Sequence, residues 1–178
     1  TEALAWDRTS VNQVAVIVDD RSQLYQPAAN ILPEFKHESL SEMLIYDLPP
    51  RMGRCGTGFD WLLLDDLDRC RPYRLYIVLN ALAISERKRD LLKWRLRRDG
   101  ATVLWMYAPG AIQERIDPAG VADLVGMQVR MSREAVPVRV ACEPADHPLV
   151  RGTMAGVEGM GNDFRIAPRF WIEDAAAT

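Results

Sequence analysis

Residues 73–110, YRLYIVLNALAISERKRDLLKWRLRRDGATVLWMYAPG, decide the fold. Leu75, Ile77 and Leu79 alternate with Tyr76 and Val78 in a β-branched and aromatic run between Pro72 and Asn80, the pattern of a strand. Ser85 is a good helix N-cap. Behind it Leu91, Leu92, Leu96 and Trp94 share one side of a helix, while Arg87, Lys88, Arg95 and Arg97 fall largely on the other. Gly100 stands where a left-handed C-cap is wanted, and Arg97 and Arg98 occupy the last turn, where the helix dipole favours cations. Thr102 to Tyr107 is a second apolar strand, stopped by Pro109-Gly110. Strand, crossover helix and strand make a right-handed βαβ unit, so the sheet is parallel. Functional groups are then expected past the carboxyl ends of the strands, near Asn80 and near Ala108-Pro109-Gly110.

On the amino-terminal side, Val14 to Val18 is a continuous apolar run ending in Asp19-Asp20, as in a buried first parallel strand. Leu40, Met43, Leu44 and Leu48 have helical spacing, with Ser39 as cap and Pro49-Pro50 as the stop. Gly53, Gly56 and Gly58 lead into a second strand, Phe59 to Leu64, which ends in Asp65-Asp66. On the other side, Val121 to Val125 reads as a helix closed by Gly126. Gln128 to Met131 and Val136 to Cys142 read as strands, Glu143 to Ala167 as loop, and Arg169 to Glu173 as a last strand. The expected class is α/β: a flavodoxin-like, doubly wound parallel sheet over residues 11–127, preceded by a linker over 1–10. A β-rich C-terminal extension of the same domain follows over 128–178. Because the chain starts at Thr1 without a methionine, it is expected to be a piece of a longer polypeptide.

Of the 178 residues, 48% are hydrophobic and 26% charged, enough apolar surface to build a core. The formal net charge of -3 argues against a nucleic-acid or anionic-membrane partner, and the basic residues from Arg87 to Arg98 read as the wet side of a helix. No apolar run reaches the roughly 18 residues that span a bilayer. Cys55, Cys70 and Cys142 are an odd count without metal-ligand spacing, which favours free thiols and a reducing compartment such as the cytoplasm.

The candidate chemistry lies in a row of strand-end acids, Asp19, Asp20, Asp65 and Asp66, with Asn80 after the third strand. In a parallel sheet these gather at one rim, where carboxylates can hold a divalent cation or a small ligand; equally, such residues cap helices and tie Asx turns. The run VAVIVDD invites comparison with receiver domains. The lysine those need after the fifth strand is missing, since Lys36, Lys88 and Lys93 all precede it. As an acid and nucleophile pair on a sugar, Asp20 and Asp66 lack a recognisable cleft around them. Trp61, Trp105 and Trp171 could line a sugar subsite, but each lies in a strand and core packing is expected.

The sharp turn Tyr107-Ala108-Pro109-Gly110 is the other candidate, because a nucleophile elbow sits at such a strand-to-helix turn. With VAVIVDD at 14–20, FDWLLLDDL at 59–67, LYIVLNALAIS at 75–85 and DGATVLWMYAPG at 99–110, the chain resembles the class I glutamine-amidotransferase-like fold. More narrowly, it is similar to the trimerisation domain of certain β-galactosidases, and PRFWIED at 168–174 is similar to a late strand of such domains. In catalytic members of the class a cysteine occupies the elbow and a His-x-Glu element follows. Aligning the glycine after that cysteine with Gly110 puts Ala108 at the nucleophile position, and Pro109 after it has no N–H for an oxyanion. His147 is followed by Pro148 and Leu149, and His37 by Glu38, so no His-x-Glu occurs. The resemblance therefore implies a non-catalytic domain without a cofactor. Its partner would be a catalytic domain of the same polypeptide or another copy of itself, and the candidate rim would comprise Asp19, Asp20, Asp65, Asp66, Asn80, Tyr107, Pro109 and Gly110.

Overall fold

A computed structural model describes residues 9–25, 42–137, 139–142, 156–159 and 165–173. Four strands, β1 (Val14–Val18), β2 (Phe59–Leu63), β3 (Leu75–Val78) and β4 (Thr102–Trp105), form one sheet in the order β2-β1-β3-β4. All three pairings are parallel, with Val16 opposite both Trp61 and Ile77, and Ile77 opposite Leu104. The sheet is the α/β, flavodoxin-like one expected. Its first strand is apolar throughout because both faces are covered, and Ala15, Val16 and Ile17 are completely buried.

Alternate residues of the strands feed two cores. Ala15, Ile17, Tyr76 and Val78 pack with Leu92 of α2 (Glu86–Asp99) and Leu124 of α3 (Pro118–Val125). Val16, Val18 and Leu79 pack with Leu44, Leu48 and Met52 on the opposite face. That second cover is a π-helical turn, Glu42–Asp47, running into α1 (Leu48–Met52). The expected stop at Pro49-Pro50 is therefore corrected. A proline at the start of a helix lacks only an N–H that would have no intrahelical partner, so the pair opens α1 instead of ending it. Ser39 and Leu40 lie outside the described residues.

The caps of α2 are those legible in the sequence. Ser85 accepts a hydrogen bond from the Lys88 N–H, and Gly100 adopts the left-handed conformation at φ 56°. The faces of α2 are not as read. Trp94 is 53% exposed, while Arg95 is 1% exposed and the largest fully buried side chain. The buried ridge runs through Leu92, Arg95 and the Asp99 side chain, so Arg95 does not belong to the wet side.

The reason lies in the connection from β2 to β3. Residues 64–74 cross from one side of β1 to the other without an α-helix, using a 3-10 turn (Leu64–Asp66) and irregular chain. Only Leu64, Leu67 and Tyr73 of it are buried, but without a helix the carbonyls it turns inward must still find donors. Arg95 supplies them: Nη1 donates to the Leu67 carbonyl at 3.0 Å, and Nη2 donates to those of Cys70 and Arg71 at 2.5 Å each. Its Nε donates to Asp99 at 2.8 Å, and the Tyr76 hydroxyl donates to the same carboxylate at 2.6 Å. Burial pushes the Asp99 carboxyl up, but the hydrogen bonds from Tyr76, Arg98 and Arg95 outweigh it and hold it below its ordinary value.

A second carboxylate ties the chain at the amino ends of the strands. Asp60 accepts from Ser10 (2.7 Å), Asn12 (2.7 Å), Tyr73 (2.8 Å) and Arg71 (3.2 Å). Burial raises its pKa, yet these four donors together lower it from 3.8 to about 2.

Residues 1–129 with 172–178 form one compact unit, and residues 130–171 a second. Of the later strands, β5 (Val129–Ser132) pairs with β10 (Arg169–Ile172), β6 (Val136–Pro137) antiparallel with β9 (Arg165–Ile166), and β7 (Arg139–Cys142) antiparallel with β8 (Gly156–Gly159). Strands β8 and β9 correct the reading of 143–167 as loop throughout. Trp61 and Trp171, expected in a core, are 40% and 37% exposed, whereas Trp105 packs against the core that holds Leu92. Among the described residues no helix is long and apolar enough to cross a membrane.

Candidate functional site

The carboxyl ends of β1, β3 and β4 meet where the sequence placed them, and local chemistry explains how. Asp19 is 1% exposed and Asn80 equally so. The Asp19 N–H donates to Asn80 Oδ1 and Asn80 Nδ2 donates to the Asp19 carbonyl, both at 2.8 Å. An amide side chain carries one acceptor and two donors, so Asn80 can pair with a peptide group as another strand would. It thereby extends the β1–β3 ladder by one rung past Val18.

The Asp19 carboxylate turns back on its own chain. It accepts from the N–H of Ser22 at 3.1 Å and from the Ser22 hydroxyl, capping the 3-10 turn Arg21–Tyr25. Ser22 is itself fully buried, and its Oγ accepts from the N–H groups of Leu82 at 2.9 Å and Ala83 at 3.0 Å. Sequence reading missed Ser22, although Asp and Ser three residues apart after a strand is a capping pattern.

Asp65 is exposed and faces two cations, Lys88 and Arg21 (3.8 Å). The hydrogen bond from Lys88 is the main reason its pKa lies below the ordinary value. Asp20 and Asp66 are exposed. Among the described residues no group of three or more His, Cys, Asp or Glu side chains is arranged to hold a metal ion.

At the elbow the left-handed residue is Tyr107, at φ 64°, one position before Ala108. A bulky side chain in that region is a backbone outlier of the kind that gathers at functional turns. By the glycine alignment the nucleophile position is Ala108; by backbone strain it is Tyr107. Neither supplies a ready nucleophile. Ala108 has no reactive atom, and burial pushes the Tyr107 phenol up to about 12, so it is protonated at neutral pH.

The amides past Ala108 are also engaged. Pro109 has none, Gly110 N–H donates to the Ala81 carbonyl at 2.8 Å, Ala111 N–H to Ala108 at 3.2 Å, and Ile112 N–H to Leu82 at 2.9 Å. Ala108, Pro109 and Gly110 are buried. The turn is sealed further by α3, whose Gly120 lies directly against Gly110. A Cβ on Gly110 would approach Leu124 Cδ1 at 2.7 Å and the Gly120 carbonyl oxygen at 3.1 Å. An oxyanion hole requires donors aimed at open space, and these are aimed into the fold.

No protein-family model matches the chain, and no curated protein matches it. Solved structures do. A β-galactosidase from Bifidobacterium adolescentis is similar at a TM-score of 0.46 and 16% identity, over 70% of this chain and 64% of that one. A ThuA-like protein from Bacteroides uniformis is similar at a TM-score of 0.51 and 13% identity, over 94% of this chain and 64% of that one. The chain thus spans slightly less than two thirds of either relative. The second likeness shows the fold, an α/β sheet of the flavodoxin-like kind.

Proposed function

We propose that this chain is a non-catalytic amidotransferase-like domain that serves oligomerisation or domain packing in a glycoside-hydrolase-like protein. The observation that carries this reading is the closed elbow: alanine at the aligned nucleophile position, proline after it, and the next three N–H groups bonded inward. Acyl transfer needs a nucleophile, a base and an oxyanion hole together. The turn keeps the shape of the catalytic element and lacks its chemistry. The four quoted segments, similar to those of a β-galactosidase trimerisation domain, support the architectural role.

Ligand capture at the rim is the alternative, and the rim geometry gives it little. Asp19 is committed to Ser22, and Asp65 to Lys88 and Arg21, which leaves Asp20 and Asp66.

The test is intact-mass spectrometry of the purified chain after exposure to electrophilic glutamine analogues and to mechanism-based glycosidase inactivators. The unmodified mass is expected. A stoichiometric adduct at Tyr107 or at a rim aspartate would refute the reading.

A further inference from the structure

The outer face of α2 presents a stripe that nothing in the described fold uses. Asp90, Lys93, Trp94, Arg97 and Arg98 line a shallow groove of about 510 Å³. Trp94 stands at its centre, 53% exposed, with the Arg98 guanidinium 4.7 Å from its ring centroid. Lys93 is drawn away to Asp123, and Arg98 is bonded to Asp99. Asp90 and Arg97, at opposite ends of the stripe, are exposed, and neither has an ion-pair partner among the described residues. An exposed tryptophan flanked by arginines is the composition of an interface hot spot.

The order of charges along the helix identifies the occupant. In a two-fold, antiparallel pairing of helices centred on one residue, positions equally far before and after the centre face each other. Centred on Trp94, the acid four residues before it faces Arg98 of the other copy. At 1.5 Å rise per residue, Arg97 of that copy lies roughly 1.5 Å nearer the centre, within reach of the same carboxylate. The stripe is acid, aromatic, base, and is therefore complementary to itself when reversed. We propose that the outer face of α2 is an isologous contact with a second copy of this chain, Trp94 against Trp94 and Asp90 against Arg97 and Arg98. This rests on the oligomerisation reading above and gives it a surface. One helix pair buries less than the area of a standard stable interface, so the dimer is weak and concentration-dependent.

Sedimentation velocity of the full chain over a concentration series tests this. The parent is expected to pass from monomer to dimer. Trp94→Ala is expected to weaken the association by about tenfold or more, the scale of a hot-spot truncation. Asp90→Arg and Arg97→Asp each weaken it alone. An equimolar mixture of those two variants restores it, because each then faces its opposite charge. All three positions are exposed, and far-UV circular dichroism checks that each variant is folded. A parent that is monomeric at every concentration overturns the proposal but leaves packing against a neighbouring domain standing. Association untouched by Trp94→Ala overturns this face and leaves oligomerisation standing elsewhere. A mixture that fails to restore association overturns the two-fold pairing.

Discussion

Arg95→Met removes a charge that four buried acceptors share. The parent side chain is 1% exposed and the Asp99 side chain 2%. Without the guanidinium, Asp99 retains the Tyr76 hydroxyl and Arg98, the latter 41% exposed and a weaker partner. The carbonyls of Leu67, Cys70 and Arg71 lose the donor that Arg95 gave each of them. Removing one member of a buried ion pair costs about 3–5 kcal/mol, and an unsatisfied buried carbonyl about 1–3 kcal/mol before relaxation. Methionine fills part of the volume and returns some of this. We expect a net loss of about 4 kcal/mol in urea denaturation. With a slope of roughly 2 kcal/mol/M, that lowers the midpoint by about 2 M. Arg97→Met, two residues on and exposed, should stay within about 0.5 kcal/mol of the parent. Adding Asp99→Leu to Arg95→Met should recover part of the loss, since the orphaned carboxylate goes too. A loss below about 1 kcal/mol for Arg95→Met would show that water reaches those carbonyls and that the crossover does not depend on this residue.

Gly120→Ala would put a Cβ against the Gly110 carbonyl oxygen, a backbone atom that cannot swing aside, and should cost about 3 kcal/mol. Gly53→Ala, whose nearest contact would be 3.6 Å, should leave the thermal melt nearly unchanged; equal effects would disprove close packing at the elbow. The pKa of Asp60 is lowered in the fold, so its stabilisation is present above its unfolded value near 4 and is lost as pH falls through about 2. Asp60→Asn should therefore lose about 2 kcal/mol at pH 7 and flatten the stability curve between pH 4 and 2; an unchanged acid limb would contradict this. Asn80→Leu breaks a reciprocal pair of buried hydrogen bonds and should lower stability by about 2–3 kcal/mol, read from the urea midpoint. Millimolar Mg²⁺ or Ca²⁺ should leave the melting temperature unchanged. A rise would return the rim to consideration as a cation site, because a bound ion stabilises by mass action.

The strands, the order of the central βαβ unit and the caps of α2 were readable because each depends on neighbours in sequence. Alternation over Leu75 to Val78, a serine at 85 and a glycine at 100 need no tertiary information. The burial of Arg95 is of another kind. Helical periodicity ranks side chains by polarity, and on that ranking an arginine belongs outside and a tryptophan inside. The ranking reversed at 94 and 95 because the carbonyls needing donors belong to residues 67–71, on a different element. A clue was present: residues 64–74 carry Pro72 and are too few for a crossover helix and its two loops. That segment had to cross without a helix, and the carbonyls it turns inward had to be met by a side chain able to reach several at once. Of the residues on the helix packed above it, an arginine on the Leu92 ridge is the one whose donors fan out far enough. The rim followed the same logic. Asp19 and Asn80 were found by their positions at strand ends, but their roles turn on Ser22 and on the peptide groups of residues 82 and 83, which approach only once the sheet has formed. A carboxylate at such an end is therefore informative about function only after its hydrogen bonds are counted. Here the count assigns Asp19 to the loop behind it.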